Sequence, residues 1–270
     1  MQKTLYDQHL HSSFSSDSVR GLIIPDIVET AIERGLIGIA ITDHYDPLWP
    51  NGDDPSDLDL PAYEAALTET ERVYAGRIRF AKGIELGMHT GEAMDMCQKT
   101  VNAYPYDFVI GSIHYSVTEP LHYPNFYEER TLEGILDEYY TLLLDCVKLY
   151  KDYDVIGHIN FVDRYTDGFA PQEMYMPYIE EILRVVIDDG KGIEINTSAF
   201  RYDIGHHGTP TQPTLNRFKE LGGEIITIGS DAHNLVDIGS YIKEGEEMLL
   251  AAGFRYLAVF SERKPEFIKL

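Results

Sequence analysis

Runs of apolar, β-branched residues alternate along this chain with segments of helical period, and that alternation narrows the possible fold more than any other feature. The runs lie at 4–10 (TLYDQHL), 36–44 (LIGIAITDH), 78–87 (IRFAKGIELG), 108–114 (FVIGSIH), 154–159 (DVIGHI), 192–198 (GIEINTS), 224–231 (EIITIGSD) and, shorter, 255–260 (RYLAVF). Between them, IPDIVETAIERG sets Ile24, Ile27, Val28 and Ala31 on one face and stops at Gly35, a suitable helix C-cap. LDEYYTLLLDCVKLYKDY and MPYIEEILRVVIDDG repeat the pattern, the second with Pro177 near its first turn. TPTLNRFKELGG follows, with Pro210 and Pro213 bounding its start. Alternation of this kind predicts parallel strands joined by right-handed crossovers. No internal repeat or low-complexity linker breaks it, so one domain over residues 1–270 is expected.

Nearly every run ends in a residue able to hold a metal or a proton. The series is His9 and His11, Asp43 with His44, Glu85, His114, His158, Asn196 with Thr197, then Asp231 and His233. Barrels of β/α units gather their active sites at the C-terminal strand ends, whereas an open doubly wound sheet gathers its ligand at one switch point. Seven consecutive contributions therefore predict closure into a distorted, seven-stranded (β/α)7 TIM-like barrel of the α/β class. His9 and His11 flank one leucine, and alternate strand residues point the same way, so two imidazoles converge. Neutral imidazole is the commonest metal ligand. Taken singly, each group has an ordinary structural account: TDH as a capped turn, GIEL as an exposed strand end, SIHY and GHIN as core histidines bonded to carbonyls. Six such groups at corresponding strand ends point instead to a shared centre.

The formal net charge is −23, from 45 acidic and 22 basic residues. This disfavours a partner as anionic as nucleic acid or a membrane surface. A small anionic substrate remains compatible, because bound cations invert the local field. Cys97 and Cys146 show no CxxC spacing and read as reduced core thiols of a cytoplasmic protein. No signal segment is expected before the first strand, and the apolar runs are too short to span a bilayer. Nothing in the pattern specifies an oligomeric state.

The set HLH, TDH, GIEL, SIHY, GHIN and GSDAH, in this order between residues 4 and 260, resembles the PHP (polymerase and histidinol phosphatase) superfamily of metal-dependent phosphoesterases. The resemblance implies a distorted barrel with three divalent metal ions. It implies that His9 and His11 share a first ion with Glu85 and Asp231, and that Glu85 bridges to a second held by His114 and His158. A third would take His44, His233 and Asp17, at a position where some relatives have histidine. Mixed imidazole and carboxylate ligands suit Zn, Fe or Mn alike. Asp43 is expected behind the ligands, orienting one of them or a water. GHINFVDRY and KGIEINTSAFRY resemble the histidinol-phosphate phosphatase branch most closely. Each places an arginine beyond a strand end, Arg164 and Arg201, and a guanidinium fork matches phosphate oxygens. The alternative for these two is a surface salt bridge with Asp163 or Asp203.

The implied reaction is hydrolysis of a small phosphorylated substrate, L-histidinol phosphate, to L-histidinol and phosphate in histidine biosynthesis. A bridging hydroxide would attack phosphorus at the trinuclear centre, with Glu85, Asp231 and His233 nearest the chemistry. No serine elbow or P-loop offers another nucleophile or phosphate cradle. Other readings are a different phosphomonoester or nucleotide, an exonuclease, a metal-dependent deaminase, and a non-catalytic metal-binding module. Trp49, His122, Tyr123, Phe126 and Tyr127, in the loops at 45–60 and 115–130, either stack on the organic half of the substrate or anchor the loops. His206 and His207 read as exposed loop histidines, and His89 has no assigned partner.

Overall fold

In a computed structural model describing residues 5–50, 58–166, 170–202 and 208–270, the alternating runs become the staves of a nearly closed barrel. Strands β1 (Tyr6–Leu10), β2 (Gly38–Ile41), β3 (His44–Tyr45), β4 (Arg79–Gly87), β5 (Phe108–Ser112), β6 (Val155–Ile156), β7 (Gly192–Asn196) and β8 (Ile226–Gly229) run parallel, in the order β1-β2-β4-β5-β6-β7-β8. β3 resumes the line of β2. Gly38 to Ile41 pair with Arg79 to Lys82, and His44–Tyr45 pair with Glu85–Leu86, so seven strand positions make the wall. The run at 36–44 is therefore two strands, parted at Thr42 and Asp43, which still bond across to the neighbouring staves, Thr42 N to Leu10 O at 2.8 Å and Glu85 N to Asp43 O at 3.1 Å.

Closure comes from the first and last staves. Asp231 N donates to His9 O at 2.8 Å, and His11 N donates to Ala232 O at 3.0 Å. Buried Asp7 clamps the same seam, accepting from Ser230 N at 2.8 Å, Ser230 Oγ at 2.6 Å and Gly239 N at 2.7 Å. A strand edge without such partners would leave a row of unpaired backbone groups.

Helices α1 (Ile24–Glu33), α2 (Leu60–Tyr74), α3 (Glu92–Ala103), α4 (Leu132–Leu149), α5 (Gln172–Asp188), α6 (Gln212–Glu220) and α7 (Ile242–Ala251) follow the strands. α1 buries the four residues its periodicity marks, Ile24, Ile27, Val28 and Ala31. α5 begins earlier than Pro177 suggests. Pro171 takes the N-cap position and Pro177 lies inside the helix. Cys97 on α3 and Cys146 on α4 are buried and free. No described helix is long and apolar enough to cross a membrane.

The last run is not part of the wall. β9 (Tyr256–Ser261) forms an antiparallel hairpin with β10 (Lys264–Lys269). Its Ala258 and Phe260 join Ala40, Ala81, Phe108, Ile110 and Val155 in a second apolar cluster at the N-terminal ends of the strands. Phe260 stacks on Phe108 at 4.9 Å between centroids. This end is thus plugged, and the opposite end is left for ligands.

Candidate metal centre and active site

The C-terminal strand ends line a cavity of about 1120 Å³. At its floor, His9 Nε2 lies 3.2 Å from Glu85 Oε2 and 3.7 Å from Asp231 Oδ1. His11 Nε2 lies 3.6 Å and 3.4 Å from the same two oxygens. Ligands bonded to one tetrahedral ion at roughly 2.0–2.1 Å stand about 3.4 Å apart, so these four atoms match one coordination shell. His9 Nε2, His11 Nε2 and Glu85 Oε2 are buried with no hydrogen-bond partner among the described residues. Each such atom costs about 1–3 kcal/mol unless a partner takes its lone pair. A divalent ion is the partner that this donor set fits.

The other oxygen of Glu85 serves a second group. Oε1 is 2.9 Å from His158 Nε2 and 3.3 Å from His114 Nε2, which are 3.4 Å apart. A third group joins His44 Nε2 and His233 Nε2, 3.4 Å apart, to Asp17 Oδ2 at 3.5 Å and 3.3 Å. His44 Nδ1 lies 2.9 Å from Glu85 Oε2, so the first and third groups touch. The nine residues expected as ligands all fall within these three groups. Further combinations of the same kind are His11 with His44 and His233, and His44 with Asp46 and His114.

Asp17 reaches the strand ends because the serine-rich turn before it is tied down. Asp43 accepts from Ser12 N and Ser12 Oγ, both at 2.7 Å, and from Ser15 Oγ at 2.6 Å. Ser15 Oγ in turn stands 3.1 Å from His11 Nδ1. Asp43 thus acts on a ligand through one hydroxyl.

Charge in the cluster is strongly organised. Burial opposes the ionised carboxylates of Glu85 and Asp231, yet His9 and the surrounding cationic groups hold both well below the usual range. Burial likewise opposes charge on His114, but Asp46 and Glu85 outweigh it and push the imidazole up to about 9. His11 is driven well below its ordinary value by burial and by the neighbouring His233 and His44. Ionised carboxylates facing buried imidazoles form a site that demands positive charge.

Two carboxylates that the sequence reading passed over stand behind the histidines. Glu194 Oε1 is 2.6 Å from His9 Nδ1, and Asp46 Oδ1 is 2.7 Å from His114 Nδ1. Glu194 shares a strand face with Asn196 through the two-residue period of β7, the one signal that marks it. Asp46 packs against Gly87, where a Cβ would stand 1.8 Å from Asp46 Oδ1.

Arg164 does not pair with Asp163. Its Nη2 donates to Ser198 Oγ at 2.6 Å, Asp231 Oδ2 at 2.9 Å and Asn196 Oδ1 at 3.2 Å. The guanidinium lies 5.0 Å from the centre of the Phe161 ring and 5.3 Å from that of Tyr202. Arg201 donates to Ser230 O at 2.7 Å and Asp231 O at 3.0 Å, with Asp237 Oδ2 3.5 Å from Nε. Both arginines line the cavity, as do Trp49, His122 and Tyr123. Phe126 is buried beneath Arg130, and Tyr127 donates to Leu121 O at 2.6 Å, so these two anchor the loop. His89 stacks on Tyr115 at 5.1 Å. Asp203, His206, His207 and the loop residues 51–57 lie outside the described residues.

Comparison with known proteins places the chain among related sequences and structures. Residues 7–198 match the family model described as PHP domain. A histidinol-phosphatase from Lactococcus lactis subsp. lactis is 32% identical over 268 residues, covering 96% of this chain and 95% of its own. A probable histidinol-phosphatase from Clostridium acetobutylicum is 31% identical, covering 96% and 98%. Among solved structures, a histidinol phosphate phosphatase from Lactococcus lactis, complexed with Zn, L-histidinol and phosphate, superposes with a TM-score of 0.87. It is 30% identical and covers 97% of this chain and 99% of its own. With a matching family model, full-length relatives and a barrel of the same shape, this chain belongs to the PHP domain family.

Proposed function

We propose that the chain hydrolyses a phosphate monoester, L-histidinol phosphate, to L-histidinol and phosphate, and thereby serves histidine biosynthesis. The observation that carries this reading is one cavity in which three ligand groups meet a buried guanidinium, Arg164, 2.9 Å from Asp231. Support for the substrate comes from the histidinol-phosphatase relatives and from the Zn, L-histidinol and phosphate held by the structural neighbour. Three divalent ions are assigned, one to His9, His11, Glu85 and Asp231, one to Glu85, His114 and His158, and one to Asp17, His44 and His233. Zinc is the first choice by analogy with the neighbour, and the donor set also accepts Fe or Mn. Ions bound there neutralise phosphate oxygens and make water a nucleophile at neutral pH.

The remaining work falls to the side chains. Arg164 and Arg201 hold the non-bridging oxygens as charge redistributes. Arg164 is set for this by the Phe161 and Tyr202 rings, whose centres lie 5.0 Å and 5.3 Å from its guanidinium. Asp231 touches both the metal ligands and Arg164, and so fixes phosphate relative to the ions. His233 would hold the third ion through Nε2, and its Nδ1, 3.1 Å from Asp231 O, ties that ligand group to Asp231. Trp49, His122 and Tyr123 form the wall available to the organic half. We also take residues 1–270 to act as one domain. The buried free thiols Cys97 and Cys146 support a reducing, cytoplasmic setting.

A phosphate-release panel tests the substrate. The zinc- or manganese-loaded protein is expected to show its highest kcat/KM with L-histidinol phosphate, over nucleoside monophosphates and sugar phosphates. Equal or greater activity on a nucleotide would overturn the substrate assignment. Absence of turnover with every ester would overturn the enzyme assignment in favour of a metal-binding module.

A further inference from the structure

β7 contributes a carboxylate that the chemistry above does not use. Glu194 is 1% exposed, and both its oxygens are committed to groups at the metal centre. Oε1 lies 2.6 Å from His9 Nδ1. Oε2 accepts from His158 N at 3.0 Å and from Asn196 Nδ2 at 3.2 Å. Asn196 continues the chain, with Nδ2 3.3 Å from Asp231 Oδ2 and Oδ1 accepting from Arg164 Nη2 at 3.2 Å. One side chain therefore stands behind a ligand of the first group, the backbone of a ligand of the second, and the phosphate-side arginine.

A neutral imidazole carries one ring proton, and an ionised carboxylate can only accept. With Glu194 at Nδ1, the proton of His9 resides on Nδ1, and the Nε2 lone pair faces Glu85 Oε2 and Asp231 Oδ1. The barrel makes room for this contact at Gly229. A Cβ there would stand 2.2 Å from His9 Cβ and 2.6 Å from Glu194 Oε1.

We propose that Glu194 is a positioning residue of the metal centre, fixing the tautomer and ring plane of His9 and the spacing between the His9 and His158 ligand groups. This rests on the reading that the cluster binds ions. Replacing Glu194 by Gln leaves the shape but removes one acceptor. Either the amide NH₂ faces His158 N–H, donor against donor, or it faces His9 Nδ1 and drives the proton to Nε2, where it blocks the ligand atom. Outer carboxylates of this kind typically govern 10–100-fold in metal affinity.

The test uses the whole metal-stripped chain and Zn²⁺ alone, titrated against a chromophoric chelator, for wild type and Glu194→Gln. The variant is expected to bind one ion roughly 10–100-fold more weakly while the others are little changed. Asp46→Asn should weaken a different ion, the one facing His114. Nitrogen-15 NMR of the zinc-loaded wild type adds a readout that needs no variant. His9 is expected to show a slowly exchanging Nδ1–H, lost or shifted in Glu194→Gln. Equal zinc affinity in wild type and variant would overturn the inference, and so would a His9 that carries no proton on Nδ1. A wild type that binds no zinc would instead overturn the functional reading on which the inference rests.

Discussion

Glu85 has two carboxylate oxygens and turns each toward a different set of imidazoles, Oε2 to His9, His11 and His44, Oε1 to His114 and His158. Such residues are legible in the sequence because a strand's C-terminal end is a fixed place, and a histidine or carboxylate found there repeatedly has few other uses. The residues behind them are not legible in this way. Glu194 meets His9 across 185 positions of chain, and no local spacing encodes that contact. Asp46, two residues after His44, reads as loop acid until Gly87 is seen to leave it room. At this scale, Arg164→Ala is expected to lower kcat/KM for L-histidinol phosphate by roughly 10²–10³-fold, and Arg164→Lys should not restore the planar fork. Steady-state kinetics decide this, and wild-type values would remove Arg164 from the phosphate site. Its neighbour Asp163 has a different role. Burial pushes this carboxyl up to about 7 from an ordinary 3.8. Oδ2 is buried with no partner among the described residues. A raised carboxylate binds its proton more tightly folded than unfolded, so its stability contribution is present at low pH and lost as pH climbs from about 4 to about 7. Asp163→Asn should therefore exceed wild type by a margin that grows from a small one near pH 5 to its full size near pH 8. Thermal unfolding at the two pH values checks the sign, and a variant less stable at pH 8 would refute it.

At the scale of elements, periodicity marks where strands and helices occur and misses how some of them end. The 36–44 run parts at Thr42 and Asp43, where the Asp43 side chain holds Ser12 and Ser15 while its carbonyl still accepts from Glu85 N at 3.1 Å. That break lets β3 restart beside Glu85 and delivers His44 to the centre. β6 is only Val155–Ile156, a shortness its apolar run does not announce. The hairpin of β9 and β10 is hidden for a different reason. Its turn residues Glu262 and Arg263 both take left-handed backbone, φ 49° and 62°. Such turns are usually announced by Asn-Gly or Asp-Gly, and here they are not. The conformation is held instead by tertiary partners. Arg263 Nε donates to Asp154 Oδ2 at 2.6 Å, and Glu262 N donates to Asp107 Oδ1 at 2.9 Å. Because the hairpin plugs the end of the barrel away from the site, Phe260→Ala should cost about 3–5 kcal/mol of stability. The remaining folded protein should keep its turnover per bound ion. Denaturant unfolding beside an activity assay measures both, and lost activity without lost stability would contradict this division of the barrel.

Over the whole molecule, a chain of net charge −23 gathers Arg164, Arg201 and a nest of imidazoles at one end of its barrel. Surface charge of that sign discourages polyanionic partners, while ions bound in the cluster would offset it locally for a small phosphate ester. The closed seam between β1 and β8, held by Asp7, brings His9 and His11 beside Asp231 and His233 although they lie more than two hundred residues apart. Strand alternation made parallel strands predictable, and ligand-type residues at successive strand ends made their closure into a barrel predictable. Choice of substrate is less legible, because Trp49, His122 and Tyr123 come from loops whose paths no strand or helix period dictates. The central claim is that ester hydrolysis depends on ions held by these three ligand groups. Its most direct test is phosphate release from L-histidinol phosphate by the stripped protein as Zn²⁺ or Mn²⁺ is added back, with ions per chain counted at each step. The account predicts no release when stripped and full turnover on reaching three ions per chain. Undiminished hydrolysis by protein shown to be free of metal would contradict it.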